Sequence, residues 1–151
     1  MDQDSLEYRR GRLLLPVGIA DWPPEKVARW LSRVPLGDRG RAFRALRLNV
    51  AAAAFLAMEP RQRVGLLAAL NPANIRYLAG IARDDHLLAT LQEAGDDVSG
   101  ALLGALPEWR RSRIEAALAE RVVADRGRGE GSSGQKRSWI RRLVDSIKSR
   151  R

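Results

Sequence analysis

A large apolar residue followed by a turn recurs about every twelve positions along the middle of the chain. The residues of this repeat are Val34, Leu46, Met58, Leu70, Ile81 and Leu106, and the last interval spans two periods around a weak position near Ala94. Several are followed by helix-starting residues, as in the Asn71-Pro72 pair after Leu70. Asn caps a helix N-terminus, and proline suits the first turn because its missing N–H would have no partner there. The spacing predicts consecutive helices of about ten residues, each about 15 Å long.

The buried faces of these helices follow from the spacing of their apolar residues. Val27, Leu31 and Val34 fall at i, i+4 and i+7, which is one face of a helix. The segment 49–58 is apolar almost all round, which is typical of a buried central helix. In the fourth helix, the residues predicted to face inward are Val64, Leu67 and Leu70.

The helices are too short to be stable alone in water, so each must be held by its neighbours. Short helices with a fixed period and tight turns indicate an α-solenoid, in which each unit buries its apolar face against the next. The predicted fold is all-α: a right-handed α-superhelix of the armadillo/HEAT type with about eight short helices. A compact irregular helical bundle is the alternative.

Composition divides the chain into four regions. Residues 1–20 form an N-terminal extension, which we expect to be extended around 13–19, with a short helix over 5–13 as the alternative. Residues 21–124 form the α-solenoid, and the Gly- and Ser-rich stretch 125–138 is predicted to be a flexible linker. Residues 139–151 are predicted to form a basic amphipathic helix that is tethered to the domain rather than packed on it.

The net charge of +9 is concentrated at the C-terminus. Residues 126–151 carry nine basic and two acidic side chains, which is +7, so the helical region itself is close to neutral. No apolar run reaches the roughly 20 residues that a membrane-spanning helix needs, and the charged N-terminus is not a secretory signal. The absence of Cys excludes disulfides and thiolate chemistry. The single histidine, His86, has no nearby nucleophile in a triad-like spacing, so we expect a non-enzymatic, cytoplasmic protein without a cofactor.

Residues 46–106 resemble the intracellular N-terminal domain of MgtE magnesium transporters, and the same type of superhelix occurs in the flagellar motor-switch protein FliG. The likeness is carried by residues 56–72 (LAMEPRQRVGLLAALNP) and by 78–85 (LAGIARDD), and it extends more loosely from Pro23 to Leu118. The resemblance implies an α-superhelix and places Asp84 and Asp85 where the family has an acidic pair. Nothing in this chain resembles the nucleotide-sensing CBS pair or the transmembrane pore of the transporter.

Asp84 and Asp85 are the candidate metal ligands, and a weak Mg²⁺ contact is the functional interpretation. The structural interpretation is that Asp84 caps the sixth helix while Asp85 complements its dipole. Asp96 and Asp97 repeat the pattern one helix later, with Asp96 as the cap. This repetition favours the structural interpretation.

Two groups of basic residues are candidate binding surfaces. The first is an Arg-rich partner surface on the early helices, formed by Arg39, Arg41, Arg44, Arg61 and Arg63. The second is the C-terminal segment, whose apolar residues share one side of a helix: Lys136, Arg137, Trp139, Ile140, Arg141, Arg142, Leu143, Val144, Ile147, Lys148, Arg150 and Arg151. This segment suits an anionic membrane surface, nucleic acid phosphates or a groove on a partner protein.

The sequence therefore predicts an adaptor or regulatory protein. The superhelix would bind a protein partner, and the tethered basic helix would dock on a membrane surface, at the inner face of the membrane, or on the partner. One alternative is a nucleic-acid-binding protein that uses the tail and the Arg-rich surface. The other is an Mg²⁺-responsive regulatory subunit related to the MgtE transporter.

Overall fold

The computed structural model describes residues 6–127 and 141–145, and within them the fold is predominantly helical. The predicted all-α class is confirmed. The α-helices of 6–127 are α1 (Pro24–Arg33), α2 (Leu36–Ala45), α3 (Leu48–Ala57), α4 (Pro60–Leu67), α5 (Pro72–Ile81), α6 (Asp84–Glu93), α7 (Asp96–Gly104) and α8 (Glu108–Gly127). Residues 141–145 are also helical.

The turns between these helices repeat every twelve residues, and each contains one buried apolar residue. These residues are Val34, Leu46, Met58, Leu70, Ala82, Ala94 and Leu106. At five of the seven positions this residue ends a helix and has an extended backbone: Val34, Leu46, Met58, Ala82 and Ala94. The fifth member of the repeat is Ala82, because Ile81 remains 37% exposed. With this correction the period is twelve throughout.

The helices form two rows. In one row α1 packs on α3, α3 on α5 and α5 on α7; in the other, α2 packs on α4, α4 on α6 and α6 on α8. Trp30, Phe43 and Phe55 are almost fully buried and provide the largest side chains of the first half of the core. Each of the helices α1 to α6 therefore packs against the helix two places further along the chain. The right-handed superhelical path stays a prediction.

The N-terminal extension is a β-hairpin, so the alternative of a short helix over 5–13 is wrong. Strands β1 (Glu7–Arg9) and β2 (Arg12–Leu14) pair antiparallel. Arg10 and Gly11 form the two-residue turn, and both have positive φ, at 52° and 76°. Positive φ at both central residues is the requirement of the tight turn that matches the twist of paired strands. A 3₁₀ helix at Ile19–Asp21 then leads into α1.

Helix caps follow the sequence in one case and differ from it in two. Asn71 caps α5 as predicted, because its side chain accepts a hydrogen bond from the Asn74 N–H at 2.9 Å. The predicted caps Asp84 and Asp96 are wrong by one residue, since the N-cap positions of α6 and α7 are occupied by Arg83 and Gly95. Both aspartates lie in the first helical turn, where their charge still complements the helix dipole.

Two predicted boundaries near the C-terminus also change. Helix α8 continues to Gly127 and so includes the first three residues of the predicted 125–138 linker. The remaining linker residues lie outside the described part of the chain. The description resumes at 141–145, where Val144 is only 3% exposed and belongs to the hydrophobic core cluster. The predicted unpacked tether is therefore wrong for this stretch, because Val144 buries its side chain against the domain.

Candidate functional site

Arg39 was expected on a partner-binding surface, but its side chain is folded back onto the domain. Its Nε donates to the carbonyl of Val34 at 3.1 Å, and one terminal nitrogen donates to Ser32 at 3.1 Å. The other terminal nitrogen donates to the carbonyl of Gly65 in α4 at 3.0 Å. Burial lowers the pKa of the Arg39 guanidinium. This arginine satisfies carbonyls at the end of α1 and connects them to α4.

Arg63 does the same for the next pair of helices and is more deeply buried, at 6% exposure. It donates to the carbonyls of Phe55 and Leu56 at the end of α3, both at 3.1 Å. Longer contacts of 3.5 Å reach the His86 carbonyl and the Thr90 hydroxyl of α6. Burial lowers the pKa of the guanidinium, and the charge of Asp85 partly opposes that shift. In the predicted register Val64 faced inward, whereas here Arg63 and Leu66 are buried and Val64 is half-buried.

Arg110 is a third arginine of this kind, which sequence reasoning missed. Its terminal nitrogens donate to the carbonyls of Ala79, at 2.6 Å, and Ala82 at the end of α5. Arg39 and Arg63 are 24 residues apart, which is one pair of helices, so the next member of the series would be residue 87. That position is the buried Leu87, and the arginine for α5 comes instead from α8.

The other members of the predicted Arg-rich surface are exposed. Arg41 and Arg44 lie on the outer side of α2, and Arg61 forms an ion pair with Glu93 at 3.4 Å. The Arg61 side chain is 87% exposed in that pair. The five arginines therefore do not form one surface, because the side chains of Arg39 and Arg63 point into the domain.

The acidic pair at the start of α6 is bound by arginines. One oxygen of Asp84 accepts from Arg110 at 3.1 Å, and the other contacts Arg113 at 2.8 Å. Asp85 is 3.5 Å from Arg83. Among the described residues there is no group of three or more His, Cys, Asp or Glu side chains that could hold a metal ion. Mg²⁺ needs several oxygen ligands with near-octahedral geometry, so these residues do not fit a magnesium site.

Beside this cluster lies an open groove of about 610 Å³ between the end of α5 and the start of α8. Its lining residues are Gly80, Ala82, Arg83, Asp84, Pro107, Trp109, Arg110 and Arg113. The Trp109 side chain is 65% exposed, and the Arg113 guanidinium lies over its ring at 5.1 Å from the centroid. We call this region the α5–α8 groove.

A second cleft, of about 390 Å³, lies between the N-terminal hairpin and α2. The hairpin is attached there by a hydrogen bond of 3.2 Å from the Tyr8 hydroxyl to Asp38. Desolvation raises the pKa of Tyr8, and the hydrogen bond to Asp38 and the charge of that carboxylate raise it further. The exposed Arg41 of the predicted partner surface lines this cleft.

The described part of the predicted C-terminal binding segment contacts the domain. Arg142 forms an ion pair with Asp96, at the start of α7, at 3.1 Å. Val144 is buried, Leu143 is half-buried and Arg141 is exposed. The other residues predicted for this segment lie outside the described residues: Lys136, Arg137, Trp139, Ile140, Ile147, Lys148, Arg150 and Arg151.

Comparison with known proteins identifies the family of the helical domain. The family model of the MgtE intracellular N domain matches residues 22–119, which covers α1 to α7 and most of α8. No curated protein and no solved structure gave a significant match. No helix in the described ranges 6–127 and 141–145 is long and apolar enough to cross a membrane. Because the match covers well over half of the 151 residues, the chain belongs to the family of MgtE intracellular N domains.

Proposed function

We propose that this protein is a non-enzymatic regulatory adaptor that binds a protein partner through the α5–α8 groove. The observation that carries the proposal is the exposure of Trp109 in a groove whose lining includes three arginines. Trp, Tyr and Arg are the residues that contribute most often to the energetic centre of a protein–protein interface. A tryptophan that is 65% exposed on a domain with a well-formed core therefore indicates a contact surface.

The charge of the groove favours an acidic partner. Its lining contains three arginines, at 83, 110 and 113, against the single carboxylate of Asp84. Arg113 is held over the Trp109 ring while it contacts Asp84, so a partner carboxylate would meet a guanidinium that is already oriented. We infer that the occupant is an amphipathic segment that places an acidic side chain at Arg83 or Arg113 and apolar side chains on Trp109.

Rigidity of the groove supports the same function. Arg110 connects α8 to the carbonyls of Ala79 and Ala82, and Asp84 connects it to α6. The apolar and cationic groups are therefore held on fixed elements and lose little freedom on binding. Val144 of the predicted C-terminal docking segment packs against the domain, so its side chain is not available to a membrane surface or a partner.

Photo-crosslinking of the full chain in cells tests the proposal. A crosslinking amino acid replaces Trp109 or Gly80 in the groove, and the matched control replaces Leu36, which is 57% exposed on α2. We expect one discrete adduct from the groove positions only. The captured protein, once identified and purified, should bind the native chain, and binding should be lost on the R113E substitution. Adducts of equal yield from Leu36, or binding that survives R113E, would overturn the proposal.

A further inference from the structure

We infer that the cleft between the N-terminal hairpin and α2 binds a small carboxylate that carries an apolar chain of medium length. This site is independent of the α5–α8 groove. The hairpin strands at 7–14 lie outside the region 22–119 matched by the family model, so one wall of the cleft is built by a part of the chain that the family match does not cover. The cleft's volume of about 390 Å³ lies within the range of about 300–1,000 Å³ that proteins use for small ligands.

The wall formed by the hairpin has a fixed position relative to α2. Tyr8 in β1 donates to Asp38 in α2, and Leu13 and Leu15 pack against the hydrophobic core. The turn at Arg10 and Gly11 sets the register of the two strands, in which Tyr8 pairs with Leu13. The strand that follows the turn therefore brings its Arg12 and Leu13 to the rim of the cleft.

The rim carries two arginines that lack partners among the described residues. Arg12 comes from the hairpin and Arg41 from α2, and both are exposed. The structure shows no hydrogen bond or ion pair from either guanidinium within the described part of the chain. A guanidinium presents its N–H groups as a planar fork that matches a carboxylate or a phosphate. Two such groups on opposite walls of one cleft form an anion site.

Asp38, the third charged residue of the cleft, limits the charge of the anion that can bind there. Asp38 is the one acidic residue among the described residues that line the cleft. Two arginines against one aspartate leave a net charge of +1, which a monoanion balances. A phosphate dianion would bring its second charge towards Asp38 and be opposed by it. A carboxylate is the matching group.

The remaining lining is apolar, which defines the rest of the ligand. Leu13 and Leu15 come from the hairpin side, and Ala42 and Ala45 from α2. None of these side chains offers a hydrogen bond to a polar ligand. A hydrocarbon chain attached to the carboxylate would cover them and remove apolar surface from water. The lining as a whole therefore fits a monocarboxylate of medium chain length.

Titration calorimetry of the full chain with octanoate tests the inference, with acetate, octanol and inorganic phosphate as comparison probes. We expect saturable 1:1 binding of octanoate with a dissociation constant below about 1 mM. The other three probes should bind at least about tenfold more weakly. Acetate and inorganic phosphate lack the apolar chain, and octanol lacks the negative charge. Absent saturation by octanoate, or equally tight binding of acetate or phosphate, would overturn the inference.

Arginine variants test whether octanoate binds in this cleft. R12Q and R41Q should each weaken octanoate about tenfold or more, because each removes charge-assisted hydrogen bonds. The matched control is R44Q, which changes an exposed arginine on the same helix that does not line the cleft. Thermal unfolding of each variant shows whether the fold is kept. An equal effect of R44Q, or no effect of R12Q and R41Q in folded protein, would also contradict the assignment.

The hairpin turn offers a gain-of-affinity test. Arg10 has a positive φ of 52°, a conformation that Asn adopts more readily, and Asn-Gly is the preferred pair for this turn. The substitution R10N should stabilise the hairpin in the conformation that forms one wall of the cleft and thereby tighten octanoate binding severalfold. An octanoate affinity left unchanged by R10N would contradict the role of the hairpin as a wall of the site.

Discussion

Replacement of Arg63 by alanine tests whether the buried arginines hold the two rows of helices together. In the native chain this guanidinium makes two hydrogen bonds of 3.1 Å to the carbonyls of Phe55 and Leu56. Hydrogen bonds that involve a charged group contribute about 1.5–3 kcal/mol each. Loss of the buried cation removes its desolvation cost, which offsets part of that sum. We therefore expect R63A to lower the free energy of unfolding by about 3 kcal/mol, an estimate from hydrogen-bond magnitudes.

Urea unfolding followed by far-UV circular dichroism measures this quantity, because helix content is lost with the fold. The native chain, R63A and the control R61A are compared. Where the slope of unfolding free energy against urea concentration is the same for all three, a change in midpoint reports a change in stability. Arg61 lies two residues away and makes one exposed ion pair with Glu93. Exposed pairs contribute about 0–1 kcal/mol. Equal effects of R61A and R63A would refute the idea that burial and the carbonyl contacts make Arg63 important.

R63M separates hydrogen bonding from packing. Methionine is apolar and fills most of the same space, but it offers no donor to the carbonyls at the end of α3. If hydrogen bonds dominate, R63M should be nearly as unstable as R63A, since the Leu56 carbonyl loses its donor in both variants. A stability close to that of the native chain would show instead that the side chain acts by filling space.

Two further perturbations test the fold at other places. G40A should destabilise the domain by about 1–3 kcal/mol, because a Cβ at Gly40 would lie 2.6 Å from the Ala69 carbonyl oxygen. The control G37A should not destabilise it, because a Cβ at Gly37 meets open space. The same urea experiment compares the two variants. V144D should release residues 141–145 from the domain. The chain has no native cysteine, so a nitroxide can be attached through D97C at the start of α7, where Arg142 pairs with Asp96. It should broaden the NMR signals of Leu143 in the native background and lose that effect when V144D is introduced. Persistence of the broadening would contradict the packing described for Val144.

The period of the fold could be predicted from the sequence because it rests on residue types with strong local preferences. Proline and asparagine mark the start of α5, and a buried apolar residue marks each turn. At the fifth position hydrophobicity predicts Ile81, but the buried residue is its neighbour Ala82. Ala82 is the residue with the extended backbone that ends α5, and its small side chain is buried. Hydrophobicity alone does not distinguish the two, but the fixed interval of twelve does.

The candidate sites were less predictable, because the position of a long side chain depends on groups that are distant in the sequence. A basic residue is ordinarily predicted to be exposed, yet Arg63 is buried and donates hydrogen bonds to carbonyls seven and eight residues earlier. The α5–α8 groove joins residues about thirty positions apart, and no local pattern marks Trp109 as exposed. The hairpin was missed because strands of three residues are too short to show alternation.

Arg110, which binds the end of α5 from the distant helix α8, connects the fold to the proposed function. Arg39 and Arg63 each lie in the helix that directly follows the one whose end they bind. At α5 the corresponding position is Leu87, so the carbonyls of Ala79 and Ala82 bind Arg110 from α8. This exchange brings the start of α8, including Trp109, against the end of α5. The substitution R110A should therefore weaken partner binding at the α5–α8 groove even though Arg110 itself is only partly exposed, because the two walls would no longer be held together.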